Sequence, residues 1–246
     1  MRIGLFSECH YGITDADAIR SMLIDLRDIG EPDILVNCGD DCGSFHGHEG
    51  VTFVAKTCRE IFDPAMRIIH VMGNHDYWCG RDGKFGRNLK LIRDAFETYG
   101  IESLDTLGVS SFGNVTFFGN SGWYNHPNPP TNDRNFLPST YYKRPINEYL
   151  LRLKNGNIAR LIDTMESVYW KGQTRVFVSH FPVIAKGDDW KGAFAQFSWD
   201  AKLGDHLREL GVTYFLNGHA HQSHNGPLRY ESGSDYGRPN YRIIEI

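Results

Sequence analysis

Short apolar runs alternate along the chain with segments in which apolar residues recur every three or four positions. In the first half this alternation predicts strands at 2–7, 33–38 and 66–72, and helices from residue 14, at 51–62 and at 84–99. The first helix is expected to begin at Thr14, with Asp17 three residues later as its partner in a capping box. This β-α-β-α-β-α order is typical of a largely parallel sheet covered by helices.

The pattern changes in the second half of the chain. Strands are predicted at 109–112, 115–118, 175–179, 212–216, 228–231 and 241–245, and helices at 146–170 and 200–210. Gly113-Asn114 separates the first two of these strands and fits a hairpin turn. Residues 120–145 are rich in proline, asparagine and tyrosine and have no regular period, which is typical of a functional loop. We therefore expect a single domain over residues 1–246, with a long loop insertion at about 120–145.

Composition narrows the classes of protein that fit this pattern. Hydrophobic residues make up 41% of the 246 residues, and no apolar run approaches the roughly 20 residues of a membrane helix. The chain has 26 lysines and arginines against 30 aspartates and glutamates, and this acidic balance speaks against strong binding to duplex nucleic acid. The first residues contain no apolar secretory segment and the five cysteines are an odd number, so we expect a cytoplasmic location.

Five polar segments follow predicted strands and contain most of the candidate chemistry. They are Ser7-Glu8-Cys9-His10, Gly39-Asp40-Asp41, Gly73-Asn74-His75-Asp76, Ser179-His180 and Gly218-His219-Ala220-His221. Ligands bind beyond the carboxyl ends of the strands in open α/β sheets, so a shared metal site is the simplest interpretation. On an extended segment the side chains at i and i+2 point the same way, which would bring Glu8 towards His10 and His219 towards His221. Mixed nitrogen and oxygen ligands favour Mn, Fe, Zn, Co or Ni over Ca or Mg.

In this order, the five segments resemble the motifs of the calcineurin-like metallophosphoesterases. That family has Asp-x-His, then Gly-Asp, Gly-Asn-His-Asp/Glu, a lone His and Gly-His-x-His. The matching residues run from position 8 to position 221, so the resemblance covers most of the chain. One position departs from the family pattern: Glu8 stands where the family usually has Asp, which keeps the charge and adds a methylene.

The resemblance implies an α/β fold in which a two-layer β-sandwich of mixed sheets is flanked by helices, giving four layers. It also implies two divalent transition-metal ions, with Mn favoured over Fe, Zn, Co and Ni. Asp40 would bridge the two ions, and the other ligands would be Glu8, His10 and His221 for the first ion, and Asn74, His180 and His219 for the second. His75 would be the general acid, and Asp76 would orient its ring.

The implied function is a phosphoesterase that hydrolyses phosphate mono- or diesters, with a small molecule or a nucleotide as substrate. A hydroxide bridging the two ions would attack phosphorus, and an imidazole would protonate the leaving oxygen. Two alternatives stay open, a nuclease of the same superfamily and a non-catalytic binding protein that keeps the fold. The presence of His75 together with the ligand residues favours the enzyme.

Several further polar and aromatic residues have a simple structural role as the alternative to a functional one. Trp123, Tyr124 and His126 lie in the long loop and either form a substrate wall or anchor the loop through their own rings. Asp41 is expected to be a solvated loop carboxylate, and His48 to lie in a loop without a functional role.

Overall fold

The computed structural model describes most of the chain. The described residues are 1–43, 47–78, 85–122, 172–184, 201–221 and 229–246, with the pair 224–225 and scattered positions between 136 and 163. The candidate substrate residues Trp123, Tyr124 and His126 lie outside the described residues, as do much of the loop 120–145 and much of the predicted helix 146–170.

Strands and helices alternate as the sequence pattern predicts. The strands are β1 (Arg2–Phe6), β2 (Ile34–Asn37), β3 (Ile68–His70), β4 (Glu102–Ser103), β5 (Val109–Phe112), β6 (Val115–Gly119), β7 (Thr140–Tyr141), β8 (Arg144–Pro145), β9 (Thr174–Ser179), β10 (Tyr214–Asn217), β11 (His224–Asn225), β12 (Arg229–Glu231) and β13 (Tyr241–Glu245). The helices are α1 (Ala16–Asp25), α2 (Gly47–Ile61), α3 (Asn74–Tyr77), α4 (Phe85–Tyr99), α5 (Leu104–Leu107) and α6 (Ala201–Glu209), and a π-helical turn at Leu26–Gly30 follows α1.

The strands form two mixed sheets. The first has the order β13-β1-β2-β3-β4, in which β1 to β4 are parallel and β13 pairs antiparallel with β1. The second has the order β11-β12-β10-β9-β6-β5, in which β6, β9, β10 and β12 are parallel and the strands at both edges are antiparallel. The hairpin of β5 and β6 turns at Gly113, as the sequence predicts. Strands β7 and β8 form a separate hairpin.

Three apolar cores hold these layers together. Leu5 of β1, Val36 of β2 and Val178 of β9 belong to the core between the two sheets. A second core packs helices α1, α2 and α4 on the outer face of the first sheet, and a third packs α6 on the second sheet. The resulting helix-sheet-sheet-helix order confirms the predicted four-layer fold. Because the central strands are buried on both faces, they appear in the sequence as continuous apolar runs.

The beginning of α1 differs from the prediction. The helix begins at Ala16, and the carboxylate of Asp15 caps it by accepting the N–H of Asp17 at 2.7 Å. Thr14 is not the cap because its hydroxyl accepts the N–H of Gly237 at 3.1 Å, a contact distant in sequence. Helix α2 begins at residue 47 instead of the predicted 51.

The one-turn helices α3 and α5 were missed because four residues are too few to show a helical period. None of the described helices combines the length and the apolar character that a membrane span requires.

Candidate metal centre

The predicted ligands come together where the carboxyl ends of both sheets meet. Segments after β1, β2 and β3 supply four of them from the first sheet, and segments after β9 and β10 supply three from the second. Three groups of side chains offer ligand atoms that all lie within 4.8 Å of one another: Glu8, His10 and His221; His10, Asp40 and His75; and Asp40, His180 and His219. The first and third groups divide the histidines and carboxylates as the sequence resemblance implies.

The backbone at these residues is left-handed, a conformation that is uncommon outside glycine. Of the six described non-glycine residues with positive φ, five are predicted ligands: Glu8 (56°), His10 (45°), Asp40 (58°), His219 (70°) and His221 (52°). The extended geometry assumed for the Glu8/His10 and His219/His221 pairs is therefore wrong, although each pair does face the same cluster. Backbone strain of this kind concentrates at functional sites, where the surrounding structure holds it in place.

Glu8 is the centre of the first group. Its Oε2 atom lies 3.1 Å from His10 Nε2 and 3.2 Å from His221 Nε2, and its Oε1 atom accepts the backbone N–H of His219. The side chain is buried. Burial raises the pKa of this carboxyl, but His180, His10 and His221 together outweigh burial and hold the pKa well below its ordinary value. Glu8 is therefore an anion that links both histidines of the Gly-His-x-His segment to His10.

Asp40 and His180 organise the other group. Asp40 Oδ2 lies 3.5 Å from His180 Nε2, which in turn lies 3.1 Å from Asn74 Oδ1 and 3.2 Å from His219 Nδ1. Burial is the main reason that the pKa of His180 falls to about 4 and that of His219 falls well below its ordinary value. Both rings are therefore neutral at physiological pH, the form that binds a metal.

Three histidines use one ring nitrogen for a protein oxygen and aim the other at the cluster. His180 Nδ1 lies 2.8 Å from the carbonyl oxygen of Cys38, His10 Nδ1 lies 3.4 Å from that of Cys42, and His221 Nδ1 lies 3.2 Å from Asp235 Oδ1. An oxygen acceptor at Nδ1 holds a proton there, so Nε2 is the atom available to the cluster. Against the effect of burial, Glu8 and Asp235 raise the pKa of His221 to about 9, so the proton on its Nε2 would leave when a metal ion binds. Metal-ligating histidines are held in the same way in proteins generally.

Two neighbouring atoms of the first ligand group lack a hydrogen bond. Within the described part of the chain, Glu8 Oε2 and His10 Nε2 are buried and have no well-aligned hydrogen-bond partner. An unsatisfied carboxylate oxygen and imidazole nitrogen would be costly in a protein interior, and a cation between them removes that cost. The residues therefore fit a divalent ion of the class that accepts mixed nitrogen and oxygen ligands.

Comparison with known proteins identifies the family. The family model of the calcineurin-like phosphoesterases matches residues 1–223. The chain belongs to this family. A search among curated proteins gave no significant match.

Solved structures show how widely this calcineurin-like fold is shared. The phosphopantetheinyl hydrolase PptH from Mycobacterium tuberculosis has a TM-score of 0.71 and 16% identity, over 96% of this chain and 90% of that chain. A putative 5′-nucleotidase from Staphylococcus aureus has a TM-score of 0.52 and 13% identity, over 95% of this chain and 49% of that chain. At these identities the comparisons establish a common fold.

Asp76 has contacts that differ from those inferred from the calcineurin-like pattern. Its two oxygens accept four backbone N–H groups, from Gly73 at 2.8 Å, Asp40 at 2.9 Å, Asp41 at 2.9 Å and Cys42 at 3.2 Å. His75 Nδ1 is buried without a hydrogen-bond partner among the described residues, so Asp76 does not orient the ring through that atom. The ring-orienting role was therefore wrong, and Asp76 instead holds the loop that presents Asp40.

His75 lies beside the ligands and is oriented by stacking. Its ring centroid is 3.5 Å from that of Trp78, and its Nε2 lies 3.8 Å from Asp40 Oδ2. Its backbone N–H also donates to Asp40 Oδ1 at 2.9 Å. Burial and the neighbouring His10 hold the pKa of His75 well below its ordinary value. The contact with Trp78 fixes the plane of the imidazole. The sequence resemblance had assigned this orienting role to Asp76.

Asp41 and His48 also differ from expectation. Asp41 is buried instead of solvated, and its oxygens accept Asn37 Nδ2 at 2.9 Å and contact His70 Nε2 at 3.0 Å. This buried network lies directly behind the Asp40 loop. His48 lies in α2 and not in a loop, where both its N–H and its ring contact Asn88 of α4.

Sequence reasoning missed the residues that support the Gly-His-x-His segment. Glu231 Oε1 accepts the N–H of Ala220 at 2.8 Å, and its Oε2 pairs with Arg229 at 2.8 Å; both side chains are buried. Ala220 lies between the predicted ligands His219 and His221, so this carboxylate fixes the loop that presents both. No local motif indicates this role. Strand β12 follows the Gly-His-x-His segment in sequence, and its pairing with β10 places Glu231 beside that segment.

Shortening Glu8 to the family's usual residue tests how the longer side chain is used. Glu8→Asp keeps the charge and tolerates the left-handed backbone, but it withdraws the carboxylate from the N–H of His219. We expect the metal concentration for half-maximal activity to rise about tenfold, which is the lower end of the effect usually seen when a metal ligand loses its supporting contact. The activity at saturating metal should change little. Metal titration of activity measures this, and complete loss at saturating metal would contradict it.

Proposed function

We propose that this chain is a metal-dependent phosphoesterase that hydrolyses mono- or diesters of phosphate, with a small molecule or a nucleotide as substrate. The observation that carries the proposal is the convergence of Glu8, Asp40 and the histidines where the carboxyl ends of the two sheets meet, with three imidazoles held at Nδ1 and aimed inward through Nε2. Histidines that serve only packing or a loop are not expected to converge in threes with the same ring nitrogen held and the other turned inward.

The ligands divide into two sets that would each hold one divalent ion. Glu8, His10 and His221 would hold the first, while Asn74, His180 and His219 would hold the second, with Asp40 between them. When bound, such ions polarise a phosphoryl oxygen and lower the pKa of a water. Mn²⁺ is the first metal to test because the ligands mix nitrogen and oxygen.

His75 is the residue in this chain best placed to move a proton. Its Nε2 faces the cluster beside Asp40, while stacking on Trp78 holds the orientation of the imidazole ring. An ester oxygen leaving phosphorus needs a proton, and a positioned imidazolium supplies one more readily than water does. Because the pKa of His75 is held well below its ordinary value, the ring would take up that proton together with the anionic substrate and then pass it to the leaving oxygen. The buried Asp76 supports this step indirectly. It accepts the backbone N–H of Asp40, and Asp40 in turn accepts the backbone N–H of His75.

Replacing His75 separates proton transfer from metal binding. His75→Asn is expected to lower kcat about 10²- to 10⁴-fold, the usual range for loss of a general acid, with the metal content unchanged. The loss should be greater for an alkyl ester than for a p-nitrophenyl ester, since p-nitrophenolate needs less help from an acid. A fall in metal content would instead assign His75 as a ligand, as the group His10–Asp40–His75 also permits.

The substrate class is tested with a panel of phosphate esters and Mn²⁺. The panel contains p-nitrophenyl phosphate, bis-p-nitrophenyl phosphate, mononucleotides, and single-stranded and duplex DNA, each with and without chelator. We expect chelator-sensitive hydrolysis of the small esters. Cleavage of DNA alone would favour the nuclease alternative, and no turnover by metal-loaded protein across the panel would favour a binding protein.

A further inference from the structure

Tyr236 covers the first ligand group and is exposed to solvent on its outer side. Its ring centroid lies 4.3 Å from that of His10, with planes 24° apart, and 4.8 Å from that of His221. His10 is fully buried, whereas 47% of Tyr236 is accessible. The tyrosine therefore stands between the ligands and the solvent. The family model ends at residue 223, so it assigns nothing to this position.

The loop that carries Tyr236 is held in one conformation. Residues 235 and 238 pair through both backbone N–H groups, at 3.2 and 2.8 Å, and Gly237 adopts φ 73° in the turn. Asp235 accepts the N–H of Tyr236 at 2.8 Å while its carboxylate also contacts His221. Gly237 N–H bonds to Thr14 on the loop after β1. The ring is therefore placed in advance, and little entropy is lost when something stacks on it.

A purely structural role does not account for this placement. The Tyr236 ring packs on His10 and His221, yet 47% of the residue stays accessible to water beside a charged cluster. Ile13, on the neighbouring loop that contains Thr14, is likewise 53% exposed. Two apolar side chains at the edge of a polar centre suit a ligand that has a charged end and an apolar end.

We propose that Tyr236 is a substrate-binding residue that determines specificity, and that its exposed ring stacks on a flat organic group attached to the phosphate. Aryl and nucleoside phosphates are then preferred over compact alkyl phosphates. This inference rests on the proposed function, because it places the phosphate at the ligands that Tyr236 covers. The phenol oxygen is not required, since stacking uses the face of the ring.

Direct binding of two phosphonates tests the inference without turnover. Phenylphosphonate and methylphosphonate share the charged group and differ in the ring. Calorimetry on Mn²⁺-loaded protein should show tighter binding of phenylphosphonate by about tenfold, within the range for stacking on an aromatic side chain. Tyr236→Phe should keep this ratio, and Tyr236→Ala should reduce it to about one while leaving the affinity for methylphosphonate within about twofold.

The same measurement distinguishes a Tyr236 that only covers the ligands from a Tyr236 that binds substrate. If Tyr236→Ala weakens both phosphonates equally, or if wild-type protein binds both equally or binds neither, the inference is overturned. Its failure is separate from that of the proposed function, which is judged by hydrolysis of the ester panel. Metal content measured on each variant shows whether His10 and His221 still hold their ion.

Discussion

Asp40→Asn is expected to lower kcat/KM for phosphate esters by more than about a hundredfold. Loss of a residue that merely supports a ligand typically costs 10–100-fold, and Asp40 is placed to serve both ligand sets itself. The substitution removes the negative charge but keeps an oxygen that can accept the N–H of His75. Asparagine also tolerates the left-handed backbone at this position, so the fold should persist.

The control for Asp40→Asn is Asp28→Asn, the same chemical change at an exposed carboxylate that pairs with Arg27. Its activity should stay within about twofold of wild type, as surface substitutions usually cost little. Steady-state kinetics at saturating Mn²⁺, with circular dichroism to verify folding, measures both variants. Retention of more than a tenth of the wild-type kcat/KM by folded Asp40→Asn would contradict the role proposed for Asp40.

Asp76→Ala is expected to lower the free energy of unfolding by at least about 4 kcal/mol. Four buried backbone N–H groups that now donate to its carboxylate would lose that acceptor, at about 1–3 kcal/mol each. That is a large part of the stability of an ordinary domain. Urea unfolding of the metal-free protein measures the change apart from any stabilisation by bound metal.

The comparison variant is Asp94→Ala, which removes an exposed carboxylate that pairs with Lys90 and should change stability by less than about 1 kcal/mol. The result also separates two roles for Asp76. If Asp76 oriented the ring of His75, Asp76→Ala would reduce activity while leaving the free energy of unfolding nearly unchanged. That outcome would contradict the loop-holding role derived from its contacts.

Much of the fold could be predicted because it depends on local pattern. Residues 34–36 are buried and appear as an uninterrupted apolar run, and residues 16–25 show the helical period directly. The clustering of the candidate ligands could be predicted for a related reason. Parallel strands end at one edge, so polar residues directly after β1, β2 and β3 must lie close together.

The rest could not be predicted because it depends on contacts distant in sequence. Asp41 was expected in solvent, but Asn37 and His70 pair with it in the interior. Tyr236 lies in a short turn without a period, and only the pairing of β13 with β1 carries that turn to the ligands. A single sequence contains no local signal for such an arrangement.

Metal content measured by mass spectrometry tests the central claim most directly. Protein is loaded with Mn²⁺ and desalted, and wild type is compared with Asp40→Asn, His221→Ala and His219→Ala. We expect close to two ions per chain in wild type, close to one in each histidine variant, and fewer than one in Asp40→Asn. Wild-type protein that retains no ion, or an Asp40→Asn variant that retains the wild-type number, would contradict the two-ion centre.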